Sequence, residues 1–355
     1  MTVRFLLGVA EATITPAFMF LTSTWYTRDE MPARIGIWFA GNSFGGLCSS
    51  VLAFSVGHLD DDGGLLKPWR WMYIILGMGT LLWAAPLFVF LPDSIEQARF
   101  LNTKERRIAA RRVAVSGTGS TVNATWKIEQ VKECLVDPKT WLILAIELLT
   151  QIPNGGTHSF SNIVITSFGF TDLQSTLINI PYSILSAAVI YGTGCLAGRF
   201  RTLNCLLIIA VLLPCVVGST LIYQRSGIPQ NMQLVAYFFL CSGPAAMPLN
   251  MSLVQSNYRG VTKKMTVTAM MFGAYCCGNI LGPHFFRASE APTYDTAFRT
   301  ITICYALVVV LALVLRVYLQ RVNASREKTE GPVDASKLRD DDITDWAMVG
   351  FRYRL

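Results

Sequence analysis

The sequence predicts an all-α polytopic transmembrane helical bundle, on three observations. Apolar residues make up 52% of the 355-residue chain and charged residues only 15%, where soluble domains carry about 25% charged residues. The charges are bunched into a few segments, and the stretches between them stay apolar for long enough to cross a bilayer. Small residues recur inside those stretches, as in Gly41-Asn42-Ser43-Phe44-Gly45 and Gly278-Asn279-Ile280-Leu281-Gly282-Pro283, and in lipid small residues let helix backbones approach closely. The same helices buried in a soluble core would need a polar outer layer, which a mean hydropathy of +0.42 does not supply.

Windows of about 20 mainly apolar residues give nine predicted spans, at 4–25, 35–57, 71–91, 140–167, 176–196, 204–223, 233–256, 266–285 and 300–320. Residues 1–92 then form a unit of three helices, 93–139 a linker, 140–321 a six-helix bundle and 322–355 a tail. Asp340-Asp341-Asp342 among basic residues marks that tail as disordered. The first 25 residues lack the basic start and short uninterrupted apolar core of a signal peptide, because Glu11 and Pro16 interrupt them, so they read as a span.

Cytoplasmic flanks of membrane helices are enriched in Lys and Arg. One alternate set of connections carries 24 of the 30 basic residues, including Arg28, Arg34, nine in 93–139 and eight from Arg316 onward, and the other set carries six. The basic set, with the linker and the C-terminal tail, is therefore expected in the cytoplasm. The net charge of +7 then reflects membrane topology and gives no motive for a nucleic-acid partner. An odd span count with an outside N-terminus leads to the expectation that further helices precede the first.

Within the linker, Ser94-Ile95-Glu96-Gln97 fits a capping box. Arg99, Lys104, Arg106, Arg107, Arg111 and Arg112 alternate with Phe100, Leu101 and Ile108, which suits a helix lying on anionic lipid or a solvated linker helix. Gly117 to Thr121 reads as a flexible stretch and 126–135 as a second interfacial helix, while Asn123-Ala124-Thr125 is a glycosylation acceptor pattern. Eight of the nine cysteines fall in spans and Cys134 in the linker, so they read as packing residues. His58, His158 and His284 have no ligand spacing, so no metal is expected. No cofactor or enzyme motif is present either: there is no phosphate-cradling glycine loop and no Ser/His/Asp pattern.

Function should lie where polar groups enter the membrane, since each costs several kcal/mol there unless it finds partners or water. In the first span Arg4 and Glu11 are seven residues apart, two helical turns, and project from one face. A cation for a substrate carboxylate beside a protonatable carboxyl makes an anion-plus-proton site; the alternative is that Arg4 snorkels at the membrane edge and Glu11 pairs with another helix. In the fourth span Glu147, Gln151, Asn154 and His158 form one polar stripe. Pro153, Gly155 and Gly156 interrupt it, and a broken helix there would act as a hinge or free backbone groups for a ligand. Glu147, near one end, reads equally as structural packing. Asn42, Asn179, Tyr182, Asn250 and Asn279 are further polar interruptions, each alone more often an interhelical hydrogen bond than a ligand contact.

Several pieces carry a family resemblance. Arg4-Phe5-Leu6-Leu7-Gly8-Val9-Ala10-Glu11-Ala12 with Pro16 and Trp25-Tyr26 resembles the fourth helix of major facilitator superfamily carriers of the anion:cation symporter group. Gly36-Ile37-Trp38-Phe39, Pro68-Trp69-Arg70-Trp71, Leu91-Pro92-Asp93-Ser94, Asp137-Pro138-Lys139-Thr140-Trp141, Ile152-Pro153-Asn154-Gly155-Gly156, Gly278 to Pro283, Ala291-Pro292-Thr293-Tyr294 and the terminal Phe351-Arg352-Tyr353-Arg354-Leu355 resemble the fungal allantoate permease family. The resemblance implies a major facilitator fold lacking its first three helices. It implies a proton-coupled uptake carrier, monomeric in the plasma membrane, for a small organic anion such as allantoate, ureidosuccinate or a vitamin-like carboxylate. Arg4 is implied as the anion-binding residue and Glu11 as the proton-coupling residue. Asn42, Gln151, Asn154, His158, Asn250 and Asn279 complete the expected substrate-binding set. A transport-dead fragment and a membrane receptor or scaffold that binds without translocating are the alternatives.

Overall fold

The computed structural model describes residues 2–57, 67–92, 94–115, 125–224, 227–330 and 342–355. His58, Asp93, Gly117 to Thr121, Asn123, Arg225, Asp340 and Asp341 fall outside them. Among the described residues every regular element is helical: α1 (Thr2–Glu11), α2 (Ile14–Trp25), α3 (Met31–Val56), α4 (Pro68–Phe90), α5 (Thr103–Val115), α6 (Ile128–Val136), α7 (Pro138–Thr166), α8 (Asp172–Arg199), α9 (Asn204–Tyr223), α10 (Gln230–Phe239), α11 (Ala246–Asn257), α12 (Val261–Leu281) and α13 (Asp295–Glu330), with short 3₁₀ turns. Eight stretches among them are long and apolar enough to cross a membrane. The predicted span at 140–167 is α7, which has 29 residues and so a length of about 44 Å; it is not among the eight.

Two of the predicted spans are interrupted. The first span divides at Ala12-Thr13, because Pro16 has no N–H to offer the Ala12 carbonyl. The predicted span at 233–256 is also divided, by a 3₁₀ segment at Leu240–Ala245 that contains Gly243 and Pro244. A Cβ on Gly243 would lie 2.7 Å from the Tyr305 hydroxyl, and Ser242 Oγ donates to the Val211 carbonyl at 2.6 Å. The predicted break at 153–156 is absent: α7 runs continuously through Pro153.

Gly155 and Gly156 have another role, which corrects the expectation of a hinge. A Cβ on Gly155 would sit 2.7 Å from Asn279 Cα, and one on Gly156 2.7 Å from Phe286 Cε2. Across the seam, a Cβ on Gly278 would sit 2.5 Å from Gln151 Cβ, and one on Gly282 2.3 Å from the Ile152 carbonyl oxygen. These glycines let α7 and α12 touch backbone to backbone, as membrane helix pairs with small residues do. Gly36 of α3 and Gly194 of α8 make a second such contact, where either Cβ would lie about 3 Å from the other's Cα.

The linker begins its helix later than predicted. Residues 94–97 form a turn, and α5 starts at Thr103, where the Asn102 N–H donates to Glu105 Oε2 at 2.8 Å. Asn102 and Glu105 therefore occupy the N-cap and third-residue positions that Ser94 and Gln97 were expected to hold.

The tail also departs from its expected disorder. α13 continues to Glu330, and residues 342–355 fold back as an ordered strap. Asp345 is its anchor: its carboxylate binds the Lys139 and Lys263 ammoniums, the latter at 2.9 Å, and accepts from the Tyr353 hydroxyl at 2.7 Å. Lys139 also pairs with Asp137 at 2.9 Å, and Lys263 with Glu133 at 2.7 Å. Lys139, Lys263, Asp137 and Asp345 are all fully buried, so each charge is matched by others where water is excluded. Farther along, Arg354 donates to the Arg28 carbonyl at 2.6 Å and the Ala197 carbonyl at 2.7 Å, while its backbone exchanges hydrogen bonds with the Asn257 side chain. Arg28 stacks on Phe351 at 4.1 Å and donates to the Ser256 carbonyl at 2.8 Å. The strap thus ties the α2–α3 turn to the ends of α8 and α11. A composition rule for disorder misses it because the ordering groups are partner charges distant in sequence.

Two outcomes follow for detergent-purified protein. Gly282→Ala places a methyl against fixed backbone and lowers stability by about 1–3 kcal/mol, read as thermal melting, whereas Gly41→Ala, inside α3 with open space around it, does not lower melting and raises stability by up to about 1 kcal/mol. Asp345→Asn removes the carboxylate that two buried ammoniums share, leaving them Asp137 and Glu133 alone, and costs about 3–5 kcal/mol. Burial pushes the Asp345 carboxyl up, but Lys139 and Lys263 outweigh it and hold the group below its ordinary value. Its stabilisation is therefore complete above the ordinary carboxylate range and is lost as pH falls through the depressed value, a loss that Asp345→Asn abolishes.

Candidate functional site

The polar stripe of α7 recurs at intervals of four, three and four residues, which places it on one helix face. α7 packs on α12 and α11, and the stripe meets side chains from both. Asn250 Nδ2, from α11, donates to Glu147 Oε2 at 2.7 Å and to the Ile143 carbonyl at 3.2 Å. Gln151 Nε2 donates to Glu147 Oε1 at 3.1 Å. Its own Oε1 accepts from Asn154 Nδ2 at 3.0 Å and from Asn279 Nδ2, on α12, at 3.3 Å. Glu147, Gln151 and Asn250 are buried, whereas Asn154 and Asn279 are half-buried. The result is a chain of amides with a carboxyl at its closed end and two asparagines at its open end.

Four expected residues, Gln151, Asn154, Asn250 and Asn279, therefore come together. His158 does not join them: it is exposed one turn beyond Asn154. Asn42 is exposed on α3 and shares no bond with the network either. A second polar cluster lies farther along the bundle, where Asn179 donates to Asn162 Oδ1 at 2.7 Å and accepts from the Tyr237 hydroxyl at 3.1 Å. Tyr182 packs on Tyr237 with ring centroids 5.0 Å apart.

Arg4 and Glu11 stand on α1, both exposed. Seven residues of helix separate them by about 10 Å, too far for an ion pair. Arg4 Nη2 donates to the Tyr73 hydroxyl of α4 at 3.0 Å, and among the described residues no carboxylate pairs with it. Glu11 is the last residue of α1, next to the break. The phenol of Tyr275, on α12, lies within electrostatic reach of both Glu11 and Glu147.

Sequence reasoning missed three groups. Glu147, which read equally as packing, is the carboxyl at the closed end of the α7 network, and its signal was its place in the stripe. Tyr73 and Tyr275 left no such signal, because their roles depend on which helices become neighbours.

Comparison with known proteins agrees with this architecture. The Major Facilitator Superfamily profile matches residues 1–283. The chain is 32% identical to an uncharacterized transporter of Schizosaccharomyces pombe, over 99% of this chain and 67% of the relative. It is 28% identical to allantoate permease of Saccharomyces cerevisiae, over 99% and 66%. It is 26% identical to a thiamine pathway transporter of the same yeast, over 99% and 67%. The chain thus spans about two thirds of the length of these relatives. All-helical architecture, membrane-length apolar helices and a profile match over most of its length make this chain an integral, multi-pass membrane protein that belongs to the Major Facilitator Superfamily.

Proposed function

We propose that the protein is a proton-coupled secondary carrier that takes up a small organic anion, of the allantoate, ureidosuccinate or vitamin-like carboxylate kind. The observation that carries this reading is Arg4, a guanidinium in an apolar helix held by a neutral phenol and, among the described residues, by no carboxylate. Its remaining donors can grip a substrate carboxylate in the bidentate manner guanidinium favours. Glu11, two turns along the same helix, supplies the proton-coupling carboxyl. Similarity to allantoate permease supports a carboxylate substrate. The α7 amide chain offers neutral donors and acceptors for the rest of the molecule, with Asn154 and Asn279 at its accessible end. Residues 1–92 and 140–321 act in this reading as two bodies that rock about a shared site, in a monomer.

The basic connections lie in the cytoplasm in this reading, as does the strap, with the protein in the plasma membrane. Asn123 then carries no glycan when the chain is expressed in a eukaryotic cell; a glycan-dependent gel shift that Asn123→Gln removes reverses the orientation.

Uptake of labelled allantoate, ureidosuccinate and vitamin-like carboxylates in a transporter-deficient yeast, with and without a protonophore, tests the function. The expected result is protonophore-sensitive uptake of at least one of them. Arg4→Ala removes charge-assisted hydrogen bonds worth about 1.5–3 kcal/mol, so the apparent affinity falls roughly ten- to a hundredfold, while Glu11→Gln weakens the dependence on the proton gradient. Binding without uptake identifies a receptor instead, and full activity in both variants removes Arg4 and Glu11 from the site.

A further inference from the structure

We infer that Glu147 is a second proton-binding residue of the transport cycle, a role that rests on the carrier reading above. The carboxyl is fully buried on α7. Asn250 faces it from α11 and Gln151 from the next turn of α7, and the Tyr275 phenol, on α12, lies within electrostatic reach. Among the described residues no lysine, arginine or histidine acts on it. The buried ammonium of α12, Lys263, is committed to Glu133, Asp137 and Asp345. The contrast with the strap's anchor is instructive: there every buried carboxylate meets an ammonium, and here one meets only neutral amides.

A carboxylate stripped of water and offered no cation is far more costly than the neutral acid. Two amides in contact with it make either form tolerable. As the charge stands on the carboxylate, both amide nitrogens donate to it. Once the acid is protonated, an amide turned about its terminal torsion presents its oxygen to the O–H instead. Asn250 Oδ1 suits that exchange, since it is buried and has no hydrogen-bond partner among the described residues. Gln151 links Glu147 to half-buried Asn154 and Asn279 by hydrogen bonds. Glu147 is thus the closed end of a polar path whose other members reach the face where substrate is expected.

A purely structural acid and a proton-binding one differ in what Glu147→Gln does. Glutamine keeps the size and imitates the protonated form, so it removes proton release and not packing. In proteoliposomes of the full chain, with allantoate as probe, net uptake driven by an inward proton gradient is compared with exchange of labelled for unlabelled allantoate at equal pH. The ratio of net uptake to exchange is expected to fall tenfold or more in Glu147→Gln, with detergent melting within a few degrees of the parent. An unchanged ratio, with both rates intact or both reduced together, overturns the inference. Infrared spectroscopy of the purified protein gives a readout independent of transport. At neutral pH a carbonyl band of a buried protonated acid is expected, and Glu147→Gln should remove it. Its absence overturns the inference even if the protein transports, and its presence in a protein with no allantoate uptake faults the carrier reading alone.

Discussion

Backbone contact between α7 and α12 is the constraint on which the rest of the interior depends. Gly155, Gly156, Gly278 and Gly282 bring the two helices so close that a single methyl at any of them meets a neighbouring atom at under 3 Å. Helices gain little from the hydrophobic effect inside lipid, so close packing and hydrogen bonds must hold them together. The glycine seam supplies the first and makes the second possible: only at this separation can Gln151 accept from Asn279 as well as Asn154. Asn250, from α11, completes the arrangement at its buried end.

The protein handles its buried charge in two ways. At the end where the basic connections gather, Lys139, Lys263, Asp137 and Asp345 form a matched cluster closed by Tyr353. That cluster fixes the strap, and the strap in turn binds the α2–α3 turn, α8 and α11 through Arg28 and Arg354. In the first half of α7, by contrast, Glu147 has amides alone. Matched charges suit a permanent joint, since separating them is costly, whereas a carboxyl among amides can gain and lose a proton with small rearrangements.

Much of the fold was legible because hydropathy is a bulk signal that tertiary context seldom overturns in a membrane protein. Most spans emerged within a few residues, although the last helix, predicted at 300–320, runs from Asp295 to Glu330; of the α7 stripe, residues 147, 151 and 154 share one hydrogen-bonded network, while His158 lies exposed. Three features were not legible, each for a reason of physics. Gly155 and Gly156 read as a hinge because a glycine pair beside proline gives the same local signal whether the backbone bends or is simply approached closely. The break at Leu240–Ala245 hid inside an apolar window, since its causes, Gly243 against Tyr305 and Ser242 against Val211, are tertiary contacts. The strap looked like solvated tail because Asp345 finds its cations about 80 and 200 residues away. Within the candidate site, the residues of α7 and their amide partners were visible by type, but His158 and Asn42 were assigned by type alone and lie apart from the network.

Acidification of the lumen of sealed proteoliposomes containing only this chain, followed with an internal pH dye, tests the account most directly. Adding allantoate or a related carboxylate outside, at equal pH, is predicted to acidify the lumen as the anion enters with protons. Entry of the labelled anion with no change in luminal pH would contradict it.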